Sequence, residues 1–207
     1  MSPFKKWIKL VLVATVGALA VRAFVVEDFR VTSNSMVPTL WPGDLVLANK
    51  LATWKSPGRG DVVIFSLPNE PYQNYVKRVV GLQGDTVVFR EGKLTVNGAA
   101  ARYEIDPRFR GFPGLGDVFL ETLPGTSPYP VYHIKNLPDA GPFVVPAGHC
   151  FVLGDNRGDS VDGRHYGPIP LQGIRARFAW TLFSVDMYGS FRKARSVMGY
   201  PLPFRTR

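Results

Sequence analysis

The start of the chain restricts it most. Lys5, Lys6 and Lys9 precede an uninterrupted apolar run from Leu10 to Val21. A second apolar patch, Ala23 to Val26, follows Arg22, and Glu27 and Asp28 end the segment. Such a run addresses the chain to a membrane. It supports two readings. The apolar run matches the core of a cleavable signal peptide, with Ala18-Leu19-Ala20 as its small-residue cleavage site. Counted instead from Ile8 to Val26, the segment makes about 28 Å of helix, close to a bilayer core of about 30 Å if Lys9 and Arg22 snorkel to opposite interfaces. The preceding lysines then hold the N-terminus in the cytoplasm and leave the remainder outside, with Trp7 at the cytoplasmic interface. On this second reading residues 1–26 are a membrane anchor and 27–207 an extracytoplasmic body.

That body is built from strands. The chain has 207 residues, room for one domain of ordinary size, and 45% are hydrophobic against 20% charged, which excludes a disordered polymer. The 21 glycines and 18 prolines are scattered without a period. Average usage would give roughly 25 in all, so turns are frequent and a helical bundle is disfavoured. Short apolar blocks predict strands at Leu45–Ala48, Val62–Leu67, Tyr75–Leu82, Thr86–Arg90, Lys93–Asn97, Phe151–Leu153 and Ile174–Val185. Glu91-Gly92 joins two of them as a hairpin. In the last block Ile174, Ala176, Phe178, Trp180 and Leu182 alternate with polar residues, which predicts a half-buried strand. Residues 104–142, rich in proline and glycine, read as a looped insertion.

Charge and cysteine usage narrow the partners. One cysteine, Cys150, excludes an intrachain disulfide framework and a cysteine-based zinc site. The formal charge of +9 suits nucleic acid or an anionic membrane surface, and the N-terminal segment favours the membrane. The basic stretch from Arg192 to Arg207 reads as a solvated or membrane-facing tail. No HExxH, GxxxxGK[ST], GxSxG or GxGxxG motif occurs. His133, His149 and His165 lie in or beside loops, and spacing alone leaves a serine-histidine triad open. Asp155, Asn156, Asp159 and Asp162 invite a calcium reading, but Arg157 takes a ligand place, Ser160 that of the required glycine, and the final glutamate is missing. No metal and no cofactor is expected.

Three segments carry chemistry: Val31 to Leu40, with Ser33, Asn34 and Ser35 at its centre and Gly43-Asp44 after it; Tyr75 to Asp85; and Gly154 to Arg164. In the second, alternation puts Tyr75, Lys77 and Val79 on one face and Val76, Arg78 and Val80 on the other. Lys77 and Arg78 therefore cannot both reach solvent from a half-buried sheet, and one cation must be inside. Burial disfavours an ammonium unless it has a partner or a task. Arg78 suits an ion pair with an aspartate of the third segment, and Lys77 suits a task.

In this order the anchor, serine loop, Gly43-Asp44 turn, lysine strand and Gly154-Asp155-Asn156-Arg157 loop resemble the type I signal peptidases, membrane-bound serine proteases that remove signal peptides from exported proteins. The self-cleaving SOS-type repressors share the serine-lysine chemistry but not the anchor or this loop. The resemblance implies a mainly β fold of the signal-peptidase and SOS-repressor kind behind one N-terminal transmembrane helix, in the inner (plasma) membrane. It makes Ser35 the nucleophile and Lys77 the general base. Ser33, with the Ser35 N–H, forms the oxyanion hole, and Ser160 orients the lysine amine. Arg78, Asp155, Asp162 and Arg164 become structural supports, and Val31, Thr32, Met36, Leu40, Tyr75 and Val76 become pocket walls for small residues three and one before the cut. Its partners are signal peptides and the bilayer, not nucleic acid. Two departures stand out: Asn34 and Gly163 occupy positions where the family often has glycine and serine. A processing peptidase dedicated to one exported protein, or a catalytically silent anchored β-domain acting as a binding module, are the alternatives.

Overall fold

The structure is a computed structural model that describes residues 3–109, 117–132 and 137–184. The basic stretch Arg192 to Arg207, His133 and the Val185 end of the last expected strand lie outside the described residues. The chain begins with helix α1 (Pro3–Phe24), then β1 (Val26–Arg30), β2 (Asp44–Asn49), β3 (Val62–Leu67) and β4 (Glu70–Gly81). Next come β5 (Thr86–Arg90), β6 (Lys93–Val96), β7 (Ala99–Ala100), β8 (Arg102–Ile105), β9 (Val118–Thr122), β10 (Tyr129–Tyr132), β11 (Ala140–Val144) and β12 (His149–Leu153). The one-turn helix α2 (Gly163–Tyr166), β13 (Ile169–Pro170) and β14 (Ile174–Ser184) complete the described chain.

A seven-stranded sheet runs β1-β2-β14-β3-β4-β12-β13, beside sheets of order β10-β9-β8 and β11-β5-β6-β7. The β5–β6 hairpin turns at Glu91 (φ 50°) and Gly92 (φ 75°), the two left-handed residues a tight hairpin turn needs. One apolar cluster joins all three sheets: Val80, Phe151 and Leu153 meet Val87, Phe89, Leu94, Val96, Leu123, Tyr129 and Val131. The small sheets thus share the body's core.

Three expectations need correction. Residues 104–142 are not simply looped, because β9, β10 and the start of β11 fall inside them. Pro130 sits in β10, an edge strand where a missing N–H costs no ladder bond. The sheet at β4 is not half-buried. Lys77 is 4% and Arg78 5% exposed, since Tyr75 and Val79 meet one apolar cluster while Val76 and Val80 pack into others. Both cations are inside. In β14 the alternation holds from Ile174 to Ala176, but register shifts between Phe178 and Trp180 and between Thr181 and Phe183 break it. Trp180 and Leu182 are consequently exposed.

Among the described residues, no helix is long and apolar enough to cross a membrane. The four consecutive side chains Leu10, Val11, Leu12 and Val13 of α1 are nonetheless all exposed, and four consecutive helical residues point nearly all the way round.

Candidate active site

The serine loop leaves β1 and returns as β2. Its base is closed by Val31 N–H to Asp44 O (2.9 Å) and Gly43 N–H to Val31 O (2.8 Å), with Gly43 at φ +93°. Within it, Val37 N–H bonds Asn34 O (3.0 Å) and Leu40 N–H bonds Met36 O (2.9 Å). Met36 and Leu40 turn inward and bury against Val31, Val46 and Val62, with Val76 alongside. That packing holds Ser35 over β4. Asn34 is not among the residues with positive φ, so a side chain there is carried without backbone strain.

Ser35 Oγ lies 2.6 Å from Lys77 Nζ, although the residues are far apart in sequence. Both are buried. Burial pushes the Lys77 ammonium down to about 8, opposed by the nearby charges of Asp162 and Asp155. A neutral amine at this distance can accept a hydroxyl proton. Ser33 Oγ is 3.1 Å from Ser35 Oγ, on the exposed side of the loop.

The Gly154 to Arg164 loop closes the other side. Arg78 donates from Nε and Nη2 to the two carboxylate oxygens of Asp155, at 2.7 and 2.6 Å, and from Nη1 to Gly60 O at 2.8 Å. Thr39 also donates to Asp155. Asp162 caps α2, accepting from Arg164 N (3.2 Å), Arg164 Nε (2.9 Å) and Gly154 N (2.9 Å). Desolvation raises the Asp162 pKa, but its bonds and the Arg164 charge outweigh that and hold it low. Asn156 N–H reaches across to Ser35 O at 3.0 Å.

Ser160 departs from expectation. Its Oγ is buried and makes no hydrogen bond to Lys77; it lies on the Asp162 side, where it helps to hold that carboxyl low, and packs over Gly154, where an added Cβ would lie 2.2 Å from it and 2.5 Å from Ser35 O. At Gly163, a Cβ would come within 2.7 Å of Val152 O, so the glycine here follows from a close backbone approach. Of the six expected wall residues, Val31, Met36, Leu40 and Val76 come together. Thr32 is exposed, and Tyr75 stacks on Phe65 at 5.8 Å in a different cluster. His149 Nδ1 contacts Ala147 O and His165 Nδ1 accepts from Asp162 N–H, so neither is engaged with a serine.

Sequence reasoning missed one pair. Arg157 and Glu121, both fully buried, form a bidentate ion pair at 2.8 and 2.7 Å. Only the joint burial of two charges marks it, and burial is not legible in a glycine-rich and proline-rich stretch.

Comparison with known proteins identifies the family. The family model described as signal peptidase, peptidase S26, matches residues 4–183. Signal peptidase I of Pseudomonas aeruginosa is 39% identical over 168 residues, covering 72% of this chain and 58% of that protein. The match to the Pseudomonas fluorescens signal peptidase I also spans 58% of the relative, at 36% identity and 72% of this chain. Signal peptidase I of Leptolyngbya laminosa is 31% identical over 199 residues, with 91% of this chain and 84% of that protein covered. The crystal structure of a signal peptidase I from Enterococcus faecalis V583 overlaps with a TM-score of 0.37 at 27% identity, over 59% of this chain and 97% of that one. With the family model spanning most of its length, the chain belongs to the signal peptidase family, peptidase S26.

Proposed function

We propose that this protein is a membrane-held serine endopeptidase that cleaves signal peptides from exported precursors through a Ser35–Lys77 dyad. The observation that carries the reading is the 2.6 Å contact between Lys77 Nζ and Ser35 Oγ, made by an amine that burial brings to about 8.

In this mechanism neutral Lys77 takes the Ser35 proton as Oγ attacks the scissile carbonyl, then delivers it to the leaving amine. The resulting ester is hydrolysed by water, with Lys77 again the base. The developing oxyanion is met by the Ser33 hydroxyl and the Ser35 N–H; one such donor is typically worth about 3 kcal/mol in the transition state. Val31 and Val76 line the apolar wall that selects small side chains, backed by Met36 and Leu40, while Thr32 and Tyr75 lie at its margins. Arg78, Asp155, Asp162 and Arg164 hold the frame, with Ser160 filling the space beside Gly154. No cofactor takes part.

Residues 1–26 are the anchor and 27–207 the catalytic body. The apolar run between Lys9 and Arg22 covers about 18 Å, so a crossing of the bilayer depends on both cations snorkelling to the interfaces. The all-round apolar surface of α1 and the exposed Trp180, Leu182 and Phe183 on β14, which pairs with β2 beside β1, support a site held at the bilayer surface. The lysines preceding the run favour a cytoplasmic N-terminus and an extracytoplasmic body, in the inner (plasma) membrane.

The test is cleavage of an exported precursor by Ser35→Ala and Lys77→Ala enzymes in membranes. Both are expected to be inactive, and near-normal turnover by either overturns the dyad. For the anchor, the full chain is expected to resist alkaline extraction. A mature N-terminus at Val21 or Phe24, with release from the membrane, overturns it.

A further inference from the structure

Asp155, Asn156 and Arg157 are consecutive, and each outer residue is held by a buried ion pair of opposite sense. Asp155 receives Arg78 from β4, while Arg157 gives its guanidinium to Glu121 of β9. The hydroxyls of Tyr103 and Tyr129 also donate to Glu121, at 2.7 and 2.5 Å, and Arg157 Nε donates to Gly154 O at 3.1 Å. The Arg78 guanidinium lies 4.2 Å above the Tyr129 ring, so the two pairs meet at one tyrosine. Backbone bonds add to the clamp: Tyr132 N–H to Asp155 O (2.8 Å) and Arg157 N–H to Tyr132 O (2.9 Å). Between the clamped residues, Asn156 sends its N–H to Ser35 O (3.0 Å) and Nδ2 to Asn34 O (3.3 Å).

We propose that Glu121 is a positioning residue: acting through Arg157, it holds Asn156 against the Ser35 carbonyl and thereby fixes the nucleophile relative to Lys77. This rests on the dyad reading. Buried ion pairs contribute little net stability compared with well-packed apolar side chains, so stability alone gives no reason for two full charges under a small sheet. A requirement that residues 155–157 stand in one register gives such a reason, because a bidentate pair fixes direction as well as distance.

The test is the double variant Glu121→Gln with Arg157→Met in the full chain. It removes both charges, leaves an acceptor for the two tyrosine hydroxyls and strands no ion. We expect the thermal midpoint to stay within a few degrees of wild type, kcat to fall at least tenfold, KM to change less than twofold, and the Asn156 amide to exchange at least tenfold faster. A folded double variant with wild-type kcat and wild-type Asn156 exchange overturns the proposal. Should it not fold, Tyr129→Phe removes one donor to Glu121 without stranding a charge. A severalfold loss in kcat with faster Asn156 exchange is then expected, and no change in either is the overturning result. Ser35→Ala in the same assay separates the two claims. If it still cleaves, the dyad reading fails, while Asn156 exchange still reports on the clamp.

Discussion

Lys77 Nζ and Ser35 Oγ are in hydrogen-bond contact at 2.6 Å, and the pair is sealed between the apolar loop of Met36 and Leu40 and the arginine-braced strand β4. Two opposing requirements meet there. The amine must lose its proton to work as a base, which asks for burial, yet Asp155 and Asp162 nearby favour the charged form. Pairing those carboxylates with Arg78 and Arg164 reduces their pull on Lys77.

Replacing Lys77 with methionine is expected to abolish cleavage and raise stability. The folded amine titrates at about 8 against an ordinary 10.5, so burial works against folding. That cost is full below pH 8 and disappears as pH rises past 10.5. At pH 7 it amounts to about 3 kcal/mol, or roughly 6 to 12 °C in thermal midpoint for a chain of this size. Thermal melts of both proteins at pH 7 and pH 10.5 check this; a variant less stable than wild type at pH 7 contradicts it.

Gly154→Ala is expected to lower kcat by about 100-fold, because a misplacement of about 1 Å at a reacting group is worth that much. The new Cβ would lie 2.5 Å from the backbone oxygen of Ser35, which cannot swing aside like a side chain. Single-turnover cleavage reads the effect, and wild-type turnover would show that the loop relaxes freely.

Asp155→Asn strands the Arg78 guanidinium in a buried site. Loss of one partner from such a pair costs about 3–5 kcal/mol, measurable by urea unfolding, with little sensitivity to salt because solvent ions do not screen the pair. A loss below about 1 kcal/mol, in the range of exposed ion pairs, would contradict the structure.

Ser33→Ala is expected to reduce kcat by about 10² to 10³ with KM little changed, since the hydroxyl acts on the developing oxyanion. Ser33→Thr keeps the hydroxyl and should recover most of the activity. Equal effects of the two changes would remove Ser33 from the oxyanion hole.

Local pattern made much of this molecule legible. Short apolar blocks marked β3 to β6, and Glu91-Gly92 marked the β5–β6 hairpin, because an apolar block and a turn residue are properties of a few neighbours. Lys77 stood out for a similar reason, a cation within an apolar strand. What stayed hidden depends on residues distant in sequence. Arg78 was legible as a buried cation only as an alternative to Lys77, since nothing local says that β4 is covered on both faces. The Glu121–Arg157 pair joins β9 to the third segment, and a charged residue looks the same in sequence whether it is solvated or sealed. Ser160 was assigned to Lys77 by resemblance, whereas its hydroxyl packs over Gly154. The bulges of β14 turn Trp180 out to solvent while Phe178 stays packed on the core, and no periodicity announces them.

The most direct test is titration of the Lys77 side chain by NMR in the folded enzyme, alongside the pH dependence of kcat/KM. The expected result is a single midpoint near 8, with activity rising tenfold per pH unit below it and levelling above it. A Lys77 amine that stays cationic above about pH 10, in the ordinary lysine range, while cleavage proceeds at pH 8, would contradict the account.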